Sequence, residues 1–373
     1  MTGIIGGIDG YHGCFYLKHS TLSTMINVTN KTRLITKTKH GFENEGAFNP
    51  AVYKEPDSDI VHLFYRAVRT GNYSSIGYCK LNGPMTVQER HDKPLIFPER
   101  PYESQGVEDP RITKIKDTYY LTYSAYDNTN VRGAYATSKN LIEFHKQGII
   151  TPKFTYREYK HFIECSNGLS DKYLFHYKLF KEHGLGPEVA SKLLVWDKNL
   201  MFFPRKINGK FALLHRIHPG IQLVMFNSFE ELNLDFWEHY FIKLCDHVVM
   251  DPELPHESNH IGGGCPPIET EEGWLFIYHA VEATAKGNVY HASAALLDLE
   301  NPVIEIARLP YPLISPELPW EKEGYVNNVI FPTGSALFGN DLYIYYGAAD
   351  ESVGVAQVKL DALINELIKS KKK

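Results

Sequence analysis

Asp109, Arg66, Arg216 and His279 are the side chains whose types and places in the chain could carry chemistry. Asp109 stands in Gly106-Val107-Glu108-Asp109-Pro110-Arg111. A carboxyl group held in place can give or take a proton at a reacting atom. Asp before Pro is also a common turn former, and Arg111 would then be its salt-bridge partner. Arg66, Arg216 and His279 each follow a strand-like run: Leu63-Phe64-Tyr65, Phe211-Ala212-Leu213-Leu214-His215 and Trp274-Leu275-Phe276-Ile277-Tyr278. If the three runs are equivalent, three cations gather at one place suited to an anion. Side-chain alternation along a strand would instead send some of them outward.

His256-Glu257-Ser258-Asn259-His260 matches the HExxH pattern of zinc proteases. That chemistry needs both histidines on one helical face, a turn apart. Here Asp251-Pro252-Glu253-Leu254-Pro255 precedes the match and Gly262-Gly263-Gly264-Cys265-Pro266-Pro267 follows it. No helix of three turns fits between such breakers, so no metal site is expected. Gly3, Gly6, Gly7 and Gly10 lack the GxGxxG spacing, and no nucleophile elbow or Walker sequence occurs.

The elements that must position these residues repeat. Five times a proline-containing turn leads into a strand, a polar break and a second strand. The units begin at Phe48-Asn49-Pro50, Glu108-Asp109-Pro110, Phe203-Pro204, Cys265-Pro266-Pro267 and Phe331-Pro332. A strand-rich unit recurring about every 60 residues is the signature of a propeller, whose equivalent loops meet around one axis. Residues 1–45 form a lead-in that could donate a strand to close the ring, since an open ring leaves sheet edges unpaired. The stretch from Thr151 to Asp197 exceeds a normal blade connection. It reads as an outer-blade strand pair plus an insertion, with a substrate lid, carrying Tyr156, Tyr159 and Tyr173, as the alternative. Leu360, Leu363, Ile364, Leu367 and Ile368 keep helical spacing, which predicts a short C-terminal helix at about 360–370 packed on the propeller's side. The expectation is one all-β domain over residues 1–373, a five-bladed β-propeller with that helix.

Composition sets bounds. Hydrophobic content of 43% and charged content of 22% are those of a globular protein, and the 13% aromatic share fits strands first and a sugar-binding surface second. A net charge of -5 offers no electrostatic case for nucleic acid. No run of about 18 apolar residues exists to span a membrane. Five dispersed cysteines without a CxxC pair fit free thiols in a reducing compartment, and the N-terminus lacks the basic and apolar regions of a signal peptide. A cytoplasmic location is the resulting expectation.

At these residues the chain resembles glycoside hydrolase family 130, the β-mannoside phosphorylases and related mannosidases. The stretches that carry the resemblance are Gly106-Val107-Glu108-Asp109-Pro110-Arg111-Ile112, Phe203-Pro204-Arg205-Lys206-Ile207, Ile261-Gly262-Gly263-Gly264 with Pro266-Pro267-Ile268, and Tyr345-Tyr346-Gly347-Ala348-Ala349-Asp350. With Asn49 and Arg66 they cover all five units in family order. The resemblance implies a five-bladed propeller with the site at its axis. It makes Asp109 the proton donor, acting through a hydroxyl of the mannose. It assigns Asn49, Arg66 and Asp350 to sugar binding, and Arg216 and His279 to phosphate. A third phosphate arginine of the family falls on Lys198, and a lysine on His260. Lysine holds phosphate as a point charge without the fork of arginine.

The implied reaction is inverting phosphorolysis of a β-mannoside to α-mannose 1-phosphate. Inorganic phosphate is the co-substrate and no cofactor is expected. Phosphate is already an anion, so it needs cations to hold it and no base to activate it. His279 would serve as imidazolium or as a neutral donor, with pH-dependent phosphate affinity in the first case. The expected partners are a β-mannoside and phosphate, with no nucleic acid or membrane; a homo-oligomer is compatible with the sequence. The competing readings are a β-mannosidase using Glu257 or Glu282 as base, a β-mannosyltransferase using a nucleotide-sugar donor, and a non-catalytic sugar-binding propeller. Acceptor sugar and linkage are not legible.

Overall fold

Runs of β-branched and aromatic residues broken by Gly, Asn and Pro form, among the described residues, twenty-one strands, and the computed structural model arranges them in five antiparallel blades. It describes residues 25–166, 169, 171–175, 178, 188 and 191–371. Blade I comprises β2 (Gly46–Lys54), β3 (Ile60–Arg69), β4 (Tyr73–Asn82) and β5 (Thr86–Arg90). Blade II comprises β6 (Gly106–Ile115), β7 (Thr118–Tyr126), β8 (Val131–Ser138) and β9 (His145–Ile149). Blade III comprises β10 (Lys198–Phe202), β11 (Phe211–Arg216), β12 (Ile221–Phe226) and β13 (Val248–Met250). In blade IV, β14 (His260–Gly263) and β15 (Ile268–Thr270) share β16 (Gly273–Thr284), followed by β17 (Gly287–Leu297) and β18 (Glu305–Arg308). Blade V comprises β19 (Ile330–Phe338), β20 (Asp341–Ala348) and β21 (Ser352–Lys359). Its outermost strand is β1 (Thr29–Thr36), paired to β21 from the other end of the chain. The described part of the lead-in thus closes the ring, and its residues 1–24 lie outside the described residues.

The blades pack through side chains, and the core divides into five clusters, one per seam. Phe64 of β3 packs with Val107, Ile112 and Leu121 of blade II. Its neighbours Leu63 and Tyr65 turn the other way, onto Ala336, Tyr345 and Val355 of blade V. Both faces of a blade are therefore buried, which explains near-continuous apolar runs where one solvated face would demand alternation.

The segment between blades II and III departs from expectation. Among its described residues it holds, in place of an outer strand pair, helix α1 (Tyr156–Cys165) and a 3-10 turn at Asp171–Leu174; most of residues 167–190 lie outside the described residues. Thr155 and Glu158 cap α1 reciprocally: the Glu158 carboxylate accepts the Thr155 amide at 2.8 Å and the Thr155 hydroxyl accepts the Glu158 amide at 3.3 Å. Tyr156, Tyr159 and Ile163 bury its inner face, alongside a second helix, α2 (Leu234–Ile242). The predicted C-terminal helix is α3 (Leu360–Lys369), with Leu363 and Leu367 buried in the seam between blades IV and V.

The prolines that marked the repeat are not equivalent. Pro50 and Pro110 lie inside innermost strands, whereas Pro204 follows β10 and Pro266 falls between β14 and β15. The better-kept repeat is a clamp at the end of each blade's second strand. A tyrosine hydroxyl there donates to a fully buried glutamate from the segment leading to the first strand of its own blade, and a cation on the blade's outermost strand pairs with the same carboxylate. The sets are Tyr65, Glu43 and Arg90; Tyr123, Glu103 and Lys146; Tyr278, Glu257 and Arg308; and Tyr346, Glu321 and Lys31. Hydroxyl distances run from 2.6 to 2.8 Å. Blade III substitutes His215, held between Asp197 at 2.8 Å and Tyr240 at 2.7 Å. In every blade the residue after the clamped ring is a place to look for function: Arg66, Ser124, Arg216, His279 and Gly347.

Candidate active site

Three innermost strands carry the same distortion. The register of β2, β6 and β10 slips after Phe48, Glu108 and Lys198. The next residue in each case is left-handed: Asn49 at φ 49°, Asp109 at φ 50° and Asn199 at φ 55°. Asn and Asp tolerate this conformation better than other side chains, so the bulge selects them. Asp350 (φ 51°) occupies a similar conformation in the β20–β21 turn. Glycines make room around them: a Cβ on Gly347 would lie 1.8 Å from Asn49 Oδ1, and one on Gly262 would lie 2.4 Å from His279 Cε1.

These bulges and strand ends surround one cavity of about 220 Å³. All eight residues singled out from the sequence line it: Asn49, Arg66, Asp109, Lys198, Arg216, His260, His279 and Asp350. Asn199, Tyr290 and Phe331 also line it and were missed. Asn199 had a signal, because it repeats Asn49 and Asp109 at the same bulge. Tyr290 enters from the third strand of blade IV, where nothing in the repeat marks it.

The walls differ in charge. On one, the Asp109 carboxylate accepts from Asn49 Nδ2 at 2.8 Å and from Arg66 at 3.4 Å. Arg66 also donates to Glu108 at 2.6 Å and to Ser74 at 2.9 Å. Arg66 is therefore neutralised on the acidic side and does not join Arg216 and His279 in one cationic group. Arg111 is not the partner of the Asp109 carboxylate; it donates to the backbone carbonyls of Gly263, Gly264, Asp109 and Pro110. Burial raises the Asp109 carboxyl, but Arg66, Asn49, Arg111 and Lys198 together hold it below the ordinary value. Asp350 goes the other way: burial, with Asp109 and Glu108 nearby, outweighs Arg66 and pushes it up to about 6.

On the other wall stand Lys198, Arg216, His260 and His279. Among the described residues neither Lys198 nor Arg216 has a carboxylate within ion-pair distance. Burial, and then the Arg216 charge, lowers Lys198; burial also lowers Arg216. The His279 ring is held well below the ordinary imidazole value by burial first, then Arg216 and Arg111, and His260 is likewise pushed far down. Both rings are neutral at pH 7 in the ligand-free site. Arg216 Nε, His279 Nδ1, Asn49 Oδ1 and Asn199 Oδ1 are buried without a hydrogen-bond partner. Unpaired polar atoms are rare in a fold and are expected where a ligand completes them.

Glu257 and Glu282 are elsewhere. Glu257 is fully buried in its clamp, and Glu282 pairs with His291 at 3.4 Å. Neither lines the cavity, which removes both as the base of a mannosidase. The HExxH match spans a 3-10 turn, Pro255–Glu257, and the first residue of β14. His260 faces the cavity while His256 packs near His291.

The model of glycoside hydrolase family 130, described as beta-1,4-mannooligosaccharide phosphorylase, matches residues 23–369. A 1,2-beta-oligomannan phosphorylase of Thermoanaerobacter sp. is 33% identical over 344 residues, 89% of this chain and 96% of that protein. A beta-1,2-mannobiose phosphorylase of the same organism is 33% identical, over 90% of this chain and 97% of its own. The solved beta-1,2-mannobiose phosphorylase of Listeria innocua, in complex with beta-1,2-mannobiose, superposes with a TM-score of 0.66 at 26% identity, over 91% of this chain and 99% of that one.

Proposed function

The chain belongs to glycoside hydrolase family 130, and on that premise we propose that it is an inverting phosphorylase of β-1,2-linked mannosides that releases α-mannose 1-phosphate. It is an enzyme acting on glycosidic bonds, with phosphate as co-substrate. The observation that carries the phosphorolytic reading is the pair of cations, Lys198 and Arg216, left without carboxylates across the cavity from Asp109. A charge in a low-dielectric wall calls for a counter-charge, and here the ligand supplies it.

In this reading Asn49, Arg66 and Asp350 hold the mannosyl ring. Arg216, His279, Lys198 and His260 hold phosphate on its α face. A phosphate oxygen forms the bond to C1 as the glycosidic C1–O bond breaks. Asp109 gives its proton through a mannose hydroxyl to the departing oxygen. The ligand-free site keeps Asp109 ionised. A phosphate beside Lys198 cancels part of the positive field that holds its proton off, so loading the site raises the acid toward its working form.

The test is detection of mannose 1-phosphate over a panel of β-1,2- and β-1,4-mannosides, with and without phosphate. Phosphate-dependent product from the β-1,2 sugars is expected, and Asp109→Asn is expected to lower turnover by about 10²–10⁴. Equal cleavage without phosphate, yielding free mannose, would sink the reading.

A further inference from the structure

A second cavity, of about 820 Å³, is much roomier than the catalytic one and opens over the seam between blades I and II. Its walls are the β3–β4 hairpin, with Arg69, Tyr73 and Ser74, and the 94–104 connection, with Phe97 and Arg100. The two cavities share a wall. Ser74 lines the larger one, and its hydroxyl accepts from Arg66 Nε at 2.9 Å and lies 3.2 Å from Glu108. Arg66 lines the smaller one. One layer of side chains therefore separates the proposed mannosyl site from open space above blade I.

The chemistry of the larger cavity is that of a sugar site. Tyr73 and Phe97 are 37% and 50% exposed, large rings partly open to solvent. Aromatic faces pack against the C–H faces of pyranose rings, and the apolar contact accompanies a few directed polar groups, as in other small-molecule sites. Arg69 lies over the Tyr73 ring, 4.6 Å from its centre. Among the described residues neither Arg69 nor Arg100 is in an ion pair, so their planar donors can reach neighbouring hydroxyls. Pro94, Pro98 and Pro101 stiffen the connection, so little ordering remains for a ligand to impose.

We propose that this cavity is an outlying sugar-binding site that holds a distal unit of a β-1,2-mannan chain whose terminal mannosyl ring occupies the catalytic cavity. The proposal rests on the function read above. A small cavity takes the terminal ring, and the leaving-group side of the chain continues over the Ser74 wall onto Tyr73 and Phe97. Chains longer than the disaccharide are then better ligands, without any change in the chemistry at C1.

Calorimetric titration in the absence of phosphate tests this without turnover. Wild type is titrated with β-1,2-mannobiose and with β-1,2-mannotetraose, and then Tyr73→Ala and Phe97→Ala are titrated in the same way. Wild type is expected to bind the tetraose about five- to tenfold more tightly than the biose, the worth of one aromatic contact. Each variant is expected to lose that advantage while binding the biose as wild type does, and the retained biose affinity doubles as the check of folding. Equal affinity of wild type for the two sugars overturns the proposal, as does an advantage that survives both substitutions or a wild type that binds neither sugar. If phosphate competes the tetraose advantage away, Arg69 and Arg100 form an anion site and the proposal fails. Failure of the functional reading shows separately, as absence of mannose 1-phosphate from wild type supplied with mannobiose and phosphate.

Discussion

At the scale of single residues, charge placement separates the two halves of the site. Arg66 is tied to Glu108 and Asp109, whereas Arg216 keeps a buried Nε without a partner. A charge-assisted hydrogen bond contributes about 1.5–3 kcal/mol. Arg216→Ala is therefore expected to raise the KM for phosphate by about ten- to a hundredfold and to leave the KM for mannoside nearly unchanged; initial-rate kinetics with each substrate varied in turn check it. His279 is neutral in the ligand-free site, so it holds phosphate as a neutral donor or gains its proton together with the phosphate, and only the second makes phosphate affinity fall as pH rises. Asp350 yields a different test. Its carboxyl ionises near 3.8 in the unfolded chain and at about 6 in the fold. The folded molecule thus keeps a proton that the unfolded chain has already released. Stability from this group is full below pH 3.8 and is lost as pH rises to about 6. Asp350→Asn removes the loss, so relative to wild type it should gain stability at pH 7.5 and gain none at pH 3.5, as read by denaturant unfolding. A constant difference across that range would contradict the assignment.

At the scale of elements, the clamps explain why the site residues hold their places, and they also explain what the sequence hid. The second-strand runs were legible because both of their faces are buried and apolar. The carboxylate that fixes each run was not, since Glu43, Glu103, Glu257 and Glu321 come from connections outside the strands and read as ordinary surface glutamates. Glu257 enters only as a mannosidase base in a competing reading, and the HExxH match it sits in is set aside for its breakers. Asn199 escaped because the third unit was aligned on Pro204, past the innermost strand, so that its bulge fell out of register with those at Asn49 and Asp109. Helix α1 escaped although Thr155 and Glu158 spell a capping box, because its aromatic inner face also suits a strand. The clamps lead to a paired prediction. Tyr278→Phe loosens the residue before His279, and Tyr65→Phe loosens the residue before Arg66. Tyr278→Phe removes the bond to Glu257, and Tyr65→Phe removes two, to Glu43 and from Arg90 Nε, at about 1 kcal/mol of stability for each bond. A merely structural role would lower stability in both and shift neither KM selectively. A positioning role predicts a several-fold rise in the phosphate KM for Tyr278→Phe and in the mannoside KM for Tyr65→Phe.

At the scale of the whole molecule, ring closure and the site are mechanically joined in blade V. Four clamps take their cation or third partner from within the neighbourhood of their own blade, but Glu321 takes Lys31 from β1, at the opposite end of the chain. Lys31 also donates to the Ser315 carbonyl at 3.1 Å. The same contact that completes the clamp thus latches the N-terminal strand to the last blade. That blade carries Gly347, which makes room for Asn49, and Asp350. Lys31→Met leaves a fully buried Glu321 with a tyrosine and two backbone amides but no counter-charge. Breaking a buried pair from one side costs about 3–5 kcal/mol, and the lower figure applies here because Lys31 retains some access to water. Lys146→Met removes the matching cation of blade II, which does not close the ring. Hydrogen exchange distinguishes the two variants. Lys31→Met is expected to speed exchange along β1 and β21 and to raise the mannoside KM through Asp350, while Lys146→Met loosens β8 and β9 and leaves the ring shut. If both variants lost the same stability with the same exchange pattern, closure would be carried by the β1–β21 ladder alone and Lys31 would be only another surface charge.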